Sequence, residues 1–153
     1  MALFSLSLQN ETATAALGAR LAGVVRAGDI VGLSGPLGAG KTTLARGIIA
    51  AFAGAREAPS PTYALVETYA GASGDLWHFD LYRLEKPGDV WELGLEEALE
   101  DGICLIEWPD RIEGVLPADM LRLDLALSDD GSRRLTVDGP EAWRARLIAA
   151  GIA

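Results

Sequence analysis

The eight residues Gly35-Pro36-Leu37-Gly38-Ala39-Gly40-Lys41-Thr42 have the spacing G-x-x-x-x-G-K-[ST] at every specified position. That pattern binds phosphate: glycines let backbone N–H groups curl around the anion, and the following helix adds the positive end of its dipole. Lys41 is expected to reach the β and γ oxygens, and the Thr42 hydroxyl to ligate Mg²⁺. With Thr43 in the same turn, these residues form the candidate nucleotide-binding segment. Such a loop grips phosphates but leaves the metal site and the attacking water to acids elsewhere. Two acids are candidates. Glu107 ends the apolar run Ile103-Cys104-Leu105-Ile106, which is the Walker-B pattern, and would lie beside the metal if that run neighbours the loop's own strand. Asp80 shares a strand face with His78 and Tyr82, opposite Trp77, Phe79 and Leu81; it serves the same site or is a solvated strand carboxylate. His78 by itself reads as a packed or surface histidine. Trp108 follows Glu107 and precedes Pro109, so its ring either covers the nucleotide or a partner surface, or caps the core edge.

These residues need a scaffold. Ile30 to Leu33 is an apolar run without alternation, as expected of a strand buried on both faces, and it leads directly into the loop. Leu44, Ile48, Ile49 and Phe52 mark the apolar stripe of the next helix. Upstream, Phe4, Leu6 and Leu8 alternate with polar residues as in a strand. A helix follows, with Thr12 as the expected N-cap, Leu17, Leu21, Val24 and Val25 on one face and Gly28 as the stop. Tyr63 to Tyr69 and Leu76 to Tyr82 flank Gly71-Ala72-Ser73-Gly74 as a hairpin. Val90 to Leu93 and Leu95 to Leu99 read as short helices divided by Gly94. Leu121, Leu123, Leu125 and Leu127 alternate before a turn into Leu135-Thr136-Val137, a second hairpin. Pro140 suits the first turn of a closing helix carrying Trp143, Leu147 and Ile148. The expected architecture is α/β: one P-loop NTPase-like domain over residues 1–153, a mixed sheet flanked by helices, with two β-hairpins.

Composition narrows the partners. The 153 residues carry 13 Lys and Arg against 22 Asp and Glu, a formal charge of −9 that repels phosphate backbones, so tight direct binding of RNA or DNA is disfavoured. No stretch has the ~18 consecutive apolar residues of a membrane span, and the N-terminal residues lack the pattern of a secretory leader, so a cytoplasmic protein is expected. One cysteine and one histidine cannot build a structural zinc site. Cys104, inside an apolar run, reads as a small buried hydrophobe.

The P-loop, Ser60-Pro61-Thr62-Tyr63, His78-Phe79-Asp80-Leu81-Tyr82-Arg83 and Ile106-Glu107-Trp108-Pro109 occur in that order. Together they closely resemble the TsaE family, the ATPases of bacterial tRNA threonylcarbamoyladenosine biosynthesis, over nearly the whole chain. The resemblance implies a mixed-sheet P-loop fold and an ATP- and Mg²⁺-dependent ATPase. It further implies work with a TsaB–TsaD type complex in N6-threonylcarbamoylation of adenosine 37 in tRNAs reading ANN codons, with tRNA held by the partner. By position, Lys41 and Thr42 bind phosphate and Mg²⁺, Thr62 lies in a switch-like loop, Asp80 and Glu107 are catalytic or metal-site acids, and Trp108 is functionally sensitive. Asn10-Glu11-Thr12 matches the family segment near the nucleotide base, which makes Asn10 and Thr12 candidate contacts. Pro36 departs from the acidic residue common at that position, which does not supply phosphate-binding groups.

Neither N-K-x-D nor D-x-x-G follows Thr42, so ATP rather than GTP is the expected nucleotide. Two other functions share the P-loop. A small-molecule kinase needs an arginine-bearing lid, whereas Arg83 and Arg111 are isolated in the sequence. A nucleotide-gated binding module uses ATP to order the Ser60 to Tyr63 loop for a partner, with negligible hydrolysis.

Overall fold

Strands without a polar face must be covered on both sides, and the two apolar runs of this kind lie side by side at the centre of one sheet. The computed structural model describes residues 2–54, 65–71 and 74–152. In it, β2 (Ile30–Ser34) and β5 (Ile103–Glu107) pair in parallel, with Ile30 opposite Cys104 and Leu33 opposite Glu107. β4 (Gly74–Asp80) pairs in parallel with the outer edge of β5, and β6 (Leu121–Leu127) with the other edge of β2. Each flank then turns antiparallel. β3 (Val66–Gly71) returns along β4, and β7 (Arg133–Asp138) along β6, followed by β1 (Ala2–Leu8). The seven-stranded order is β1-β7-β6-β2-β5-β4-β3. The fold is therefore the expected mixed sheet with two hairpins and flanking helices.

Alternation along the strands sorts side chains into two cores. On one face, Leu33, Leu76, Leu105 and Leu123 pack with Leu17 and Leu21 of α1 (Glu11–Ala22), Leu44, Ile48 and Ile49 of α2 (Lys41–Ala53), and Trp143 and Leu147 of α4 (Glu141–Ala149). On the other, Phe79, Cys104 and Ile106 pack with Leu95 and Ala98 of α3 (Leu95–Asp101) and with Val90 and Ile112 of two 3-10 helices, Pro87–Leu93 and Pro109–Val115. Burying a large apolar side chain stabilises by about 1.5–3 kcal/mol, so both faces contribute. Cys104 belongs wholly to the second core, and burial pushes its thiol up to about 12.

Several boundaries differ from expectation. α1 begins at Glu11, capped by Asn10 rather than Thr12: Asn10 is extended, and its side-chain oxygen accepts from the Ala13 N–H at 2.9 Å. It ends at Ala22, where the Gly23 N–H bonds back to Arg20 and Leu21, so Val24 and Val25 fall beyond the helix, though Val25 remains buried. Gly28 instead joins β2 to the turn before β5 by donating to the Gly102 carbonyl at 2.9 Å. The first short helix is a 3-10 turn starting at Pro87, and Pro140 precedes α4 rather than lying in its first turn. Trp143 and Leu147, four residues apart, share the buried face of α4; Ile148 is 54% exposed. The strands of the first hairpin start and stop near, not at, the expected residues. Tyr63 and the turn residues Ala72 and Ser73 lie outside the described residues.

Candidate functional site

The geometry of the loop from Gly35 to Thr42 begins with two glycines. Gly35 has φ +133 and lies so close to β6 that a Cβ would stand 2.3 Å from the Leu125 carbonyl oxygen; no side chain fits. Gly40, at φ 107, is left-handed and turns the chain into α2. No side chain caps α2, in contrast to the Asn10 cap on α1. The first backbone N–H groups of α2 therefore point from a helix N-terminus with no internal partner, the arrangement that receives an anion.

Lys41 is 5% exposed, yet its ammonium donates to the carbonyls of Gly35 and of Pro36, the latter at 2.8 Å, and sits 4.3 Å from the Trp108 ring centroid. Burial holds its pKa below the ordinary lysine value, against the opposing pull of Glu107 and Asp80. A partly desolvated cation of this kind interacts strongly with an anionic oxygen that reaches it.

Strand parity delivers the acids. Glu107 continues the face of Ile103 and Leu105, and Asp80 that of Leu76 and His78; these residues look toward the α2 side of the sheet. Asp80 and Glu107 are directly opposite in register. Glu107, 2% exposed, bridges two partners: Oε1 accepts from the Thr42 hydroxyl at 3.1 Å, and Oε2 lies 2.7 Å from His78 Nε2. Asp80 is half-buried and accepts from the Tyr82 N–H at 3.2 Å. Burial first, then the neighbouring Glu107 charge, pushes the Asp80 carboxyl up from its ordinary value.

At the end of β5 the chain turns sharply. Trp108 adopts φ 63 and ψ 52, a left-handed conformation costly for a bulky residue, with its N–H donating to the Leu33 carbonyl at 3.1 Å. This turn lays the ring over Lys41 and against Tyr82, with centroids 5.0 Å apart. Trp108 thus stands beside the expected acid, as its position in the sequence suggested.

A cleft of about 230 Å³ opens over these groups, lined by Gly38, Gly40, Lys41, Thr42, Thr43, Asp80, Tyr82, Glu107 and Trp108. Leu37, 66% exposed, forms part of its rim. Glu11 and Arg133 complete the lining, and sequence reasoning singled out neither. Arg133 donates to the Gly131 carbonyl at 2.6 Å, while its buried Nε has no hydrogen-bond partner among the described residues. No local motif marks Arg133: it reaches the loop from a strand nearly a hundred residues later. Asn10 and Thr12 stand next to Glu11, with the Asn10 side chain engaged in capping and Thr12 exposed. Gly35, Pro36 and Ala39 belong to the same loop but do not line the cleft. Thr62 and the rest of the Ser60 to Tyr63 segment lie outside the described residues.

The donor set is all oxygen: the Thr42 hydroxyl, the Glu107 carboxylate and the nearby Asp80. Among the described residues no group of three or more His, Cys, Asp or Glu forms a protein cage. That combination fits Mg²⁺, which retains waters and is bound by one or two carboxylates plus substrate phosphates. Among the same residues, no helix is long and apolar enough to cross a membrane.

A family model described as threonylcarbamoyl adenosine biosynthesis protein TsaE matches residues 8–135. The tRNA threonylcarbamoyladenosine biosynthesis protein TsaE of Rickettsia felis is 40% identical over 133 residues, covering 86% of this chain and 78% of its own length. The protein of the same name from Bacillus subtilis is 34% identical over 128 residues, covering 83% of this chain and 80% of its own. A crystal structure of Bacillus subtilis YdiB matches with a TM-score of 0.78 and 26% identity, covering 97% of this chain and 93% of that one.

Proposed function

Since the chain belongs to the TsaE family, whose members act in tRNA threonylcarbamoyladenosine biosynthesis, we propose that it serves that pathway as a Mg²⁺-dependent ATPase. The observation that carries this reading is the contact of Thr42 with Glu107 at the uncapped end of α2, where a phosphate cradle and a Walker-B acid meet. In this reading the α2 N-terminus and Lys41 hold the β and γ phosphates, and Arg133 adds a second cation to the cleft wall. Thr42 and Glu107 hold Mg²⁺, which when bound neutralises developing charge on the phosphates. Asp80, its carboxyl pushed up from the ordinary value by burial and then by the Glu107 charge, accepts a proton from the attacking water. Trp108 shields Lys41 from solvent, and Asn10, Glu11 and Thr12 mark the base side of the cleft.

The chain works in the cytoplasm with a TsaB–TsaD type complex, which holds the tRNA. Thr62 lies in the segment that responds to nucleotide and partner. Single-turnover phosphate release from ATP, with Mg²⁺ and with or without the partner complex, tests this reading. The wild type is expected to release phosphate faster with partner. Lys41→Ala is expected to bind ATP about 10–100-fold more weakly, the scale of a lost charge-assisted hydrogen bond, and to release almost none. Tight ATP binding without release under every condition would instead identify a nucleotide-gated binding module.

A further inference from the structure

His78 is the only histidine of the chain, and it lies 1% exposed on β4, between β5 and the edge strand β3. Burying an imidazole costs free energy unless its nitrogens are satisfied, and here only one is: Nδ1 has no hydrogen-bond partner among the described residues. A position filled for packing alone is better served by a leucine or phenylalanine. What distinguishes His78 is Nε2, 2.7 Å from Glu107 Oε2. A carboxylate only accepts, so the imidazole donates from Nε2. Glu107's other oxygen faces the Thr42 hydroxyl at 3.1 Å. The terminal torsion of a glutamate is broad and its well shallow, so an unsupported carboxylate would rotate, or swing toward the Lys41 ammonium. The two hydrogen bonds together fix which oxygen faces α2.

We propose that His78 is a positioning residue: its Nε2–H locks the Glu107 carboxylate so that Oε1 is presented toward Thr42 and the phosphate end of α2. This rests on the assignment of Glu107 to the metal site given above. His78 does not line the cleft, so its contribution passes through Glu107. Loss of such an outer hydrogen bond typically costs about 10–100-fold in metal affinity or activity.

The test has a spectroscopic arm and a linkage arm. Because the chain holds one histidine, ¹⁵N-histidine labelling of the full chain reads its tautomer without overlap. The expected spectrum shows a ring carrying its proton at Nε2, with a slowly exchanging Nε2–H that is lost in Glu107→Ala. In the second arm, ADP affinity is measured by calorimetry in chelator and across a Mg²⁺ series, for wild type, His78→Leu and His78→Gln. His78→Leu is expected to bind ADP within threefold of wild type in chelator but to need about tenfold more Mg²⁺ for the metal-dependent gain. His78→Gln, which keeps a side-chain N–H donor, should recover most of the loss. In a Glu107→Gln background, His78→Leu should add little. A ring protonated at Nδ1 alone, an unchanged Mg²⁺ dependence in folded His78→Leu, or failure of His78→Gln to outperform His78→Leu each overturns the proposal. Neither arm requires turnover, so the positioning role stands or falls separately from ATP hydrolysis: absence of phosphate release in the wild type would remove the ATPase reading alone.

Discussion

At the scale of single residues, the two acids divide by environment. Glu107 is fully buried and doubly hydrogen-bonded, whereas Asp80 is half-buried with one backbone donor and a like charge opposite. The folded state therefore holds a proton on Asp80 above its ordinary 3.8. For an acid raised on folding, the stabilisation is fully present below the unfolded value and is lost as pH rises through the folded one. Above its folded value the ionised carboxylate is a net liability to the metal-free fold. Asp80→Asn in chelator is expected to melt about 1–3 °C higher than wild type at pH 7.5, the gain shrinking toward pH 4. The same variant should lose about 100-fold in ATP turnover with partner present. A lower melting temperature at pH 7.5, or undiminished turnover, would remove Asp80 from the proton-accepting role. The sequence made the phosphate loop and the strand-ending glutamate legible, because both patterns are local. The His78–Glu107 bond was not legible, since two strands 29 residues apart must first pair in parallel. Arg133 escaped for the same reason.

At the scale of elements, the cleft's fixed wall is a helix pair. α1 and α2 cross through glycines: a Cβ on Gly18 would stand 2.6 Å from the Leu44 carbonyl oxygen, and one on Gly47 2.4 Å from the Ala15 carbonyl oxygen. Backbone meets backbone, with no side chain able to yield. This crossing sets the distance between Glu11 at the start of α1 and Thr42 at the start of α2, which line one cleft. Gly47→Ala is expected to cost about 1–3 kcal/mol as overpacking, a fall of several degrees in melting temperature, and to weaken ADP binding at a temperature where the variant is folded. Melting within 1 °C of wild type would mean that the helices separate freely and set no distance. Periodicity identified both helices and most strands because apolar spacing is strong there. It misplaced the end of α1, because Val24 and Val25 stay near the core after the helix has stopped and so extend the apolar pattern past its hydrogen bonds. The Asn10 cap was missed because Thr12, two residues on, offers the same chemistry to a reader of residue types. No local pattern marks Gly18 or Gly47, and only the crossing gives them a purpose.

At the scale of the whole molecule, the order of the sheet was beyond periodicity, since pairing β2 with both β5 and β6 depends on contacts distant in the chain. The charge balance was legible, and it bears on the division of labour. With 13 cationic against 22 anionic side chains, the surface gives a polynucleotide little to hold. The chain alone is expected to retain tRNA only weakly at physiological salt, with retention and modification appearing when the TsaB–TsaD type complex is added. Binding and modification measured with the chain, the complex and tRNA omitted in turn check this. Tight tRNA binding by the chain alone would place the RNA site on this chain rather than on its partner. One further property of the whole chain is useful at the bench. Its sole thiol is buried in the second core, and burial pushes it up to about 12, so it is expected not to react with maleimide or mild oxidants. A cysteine introduced at an exposed position such as Leu127 or Ile148 would then be the one reactive handle on the protein, and a single dye could follow partner docking with no native residue to remove first.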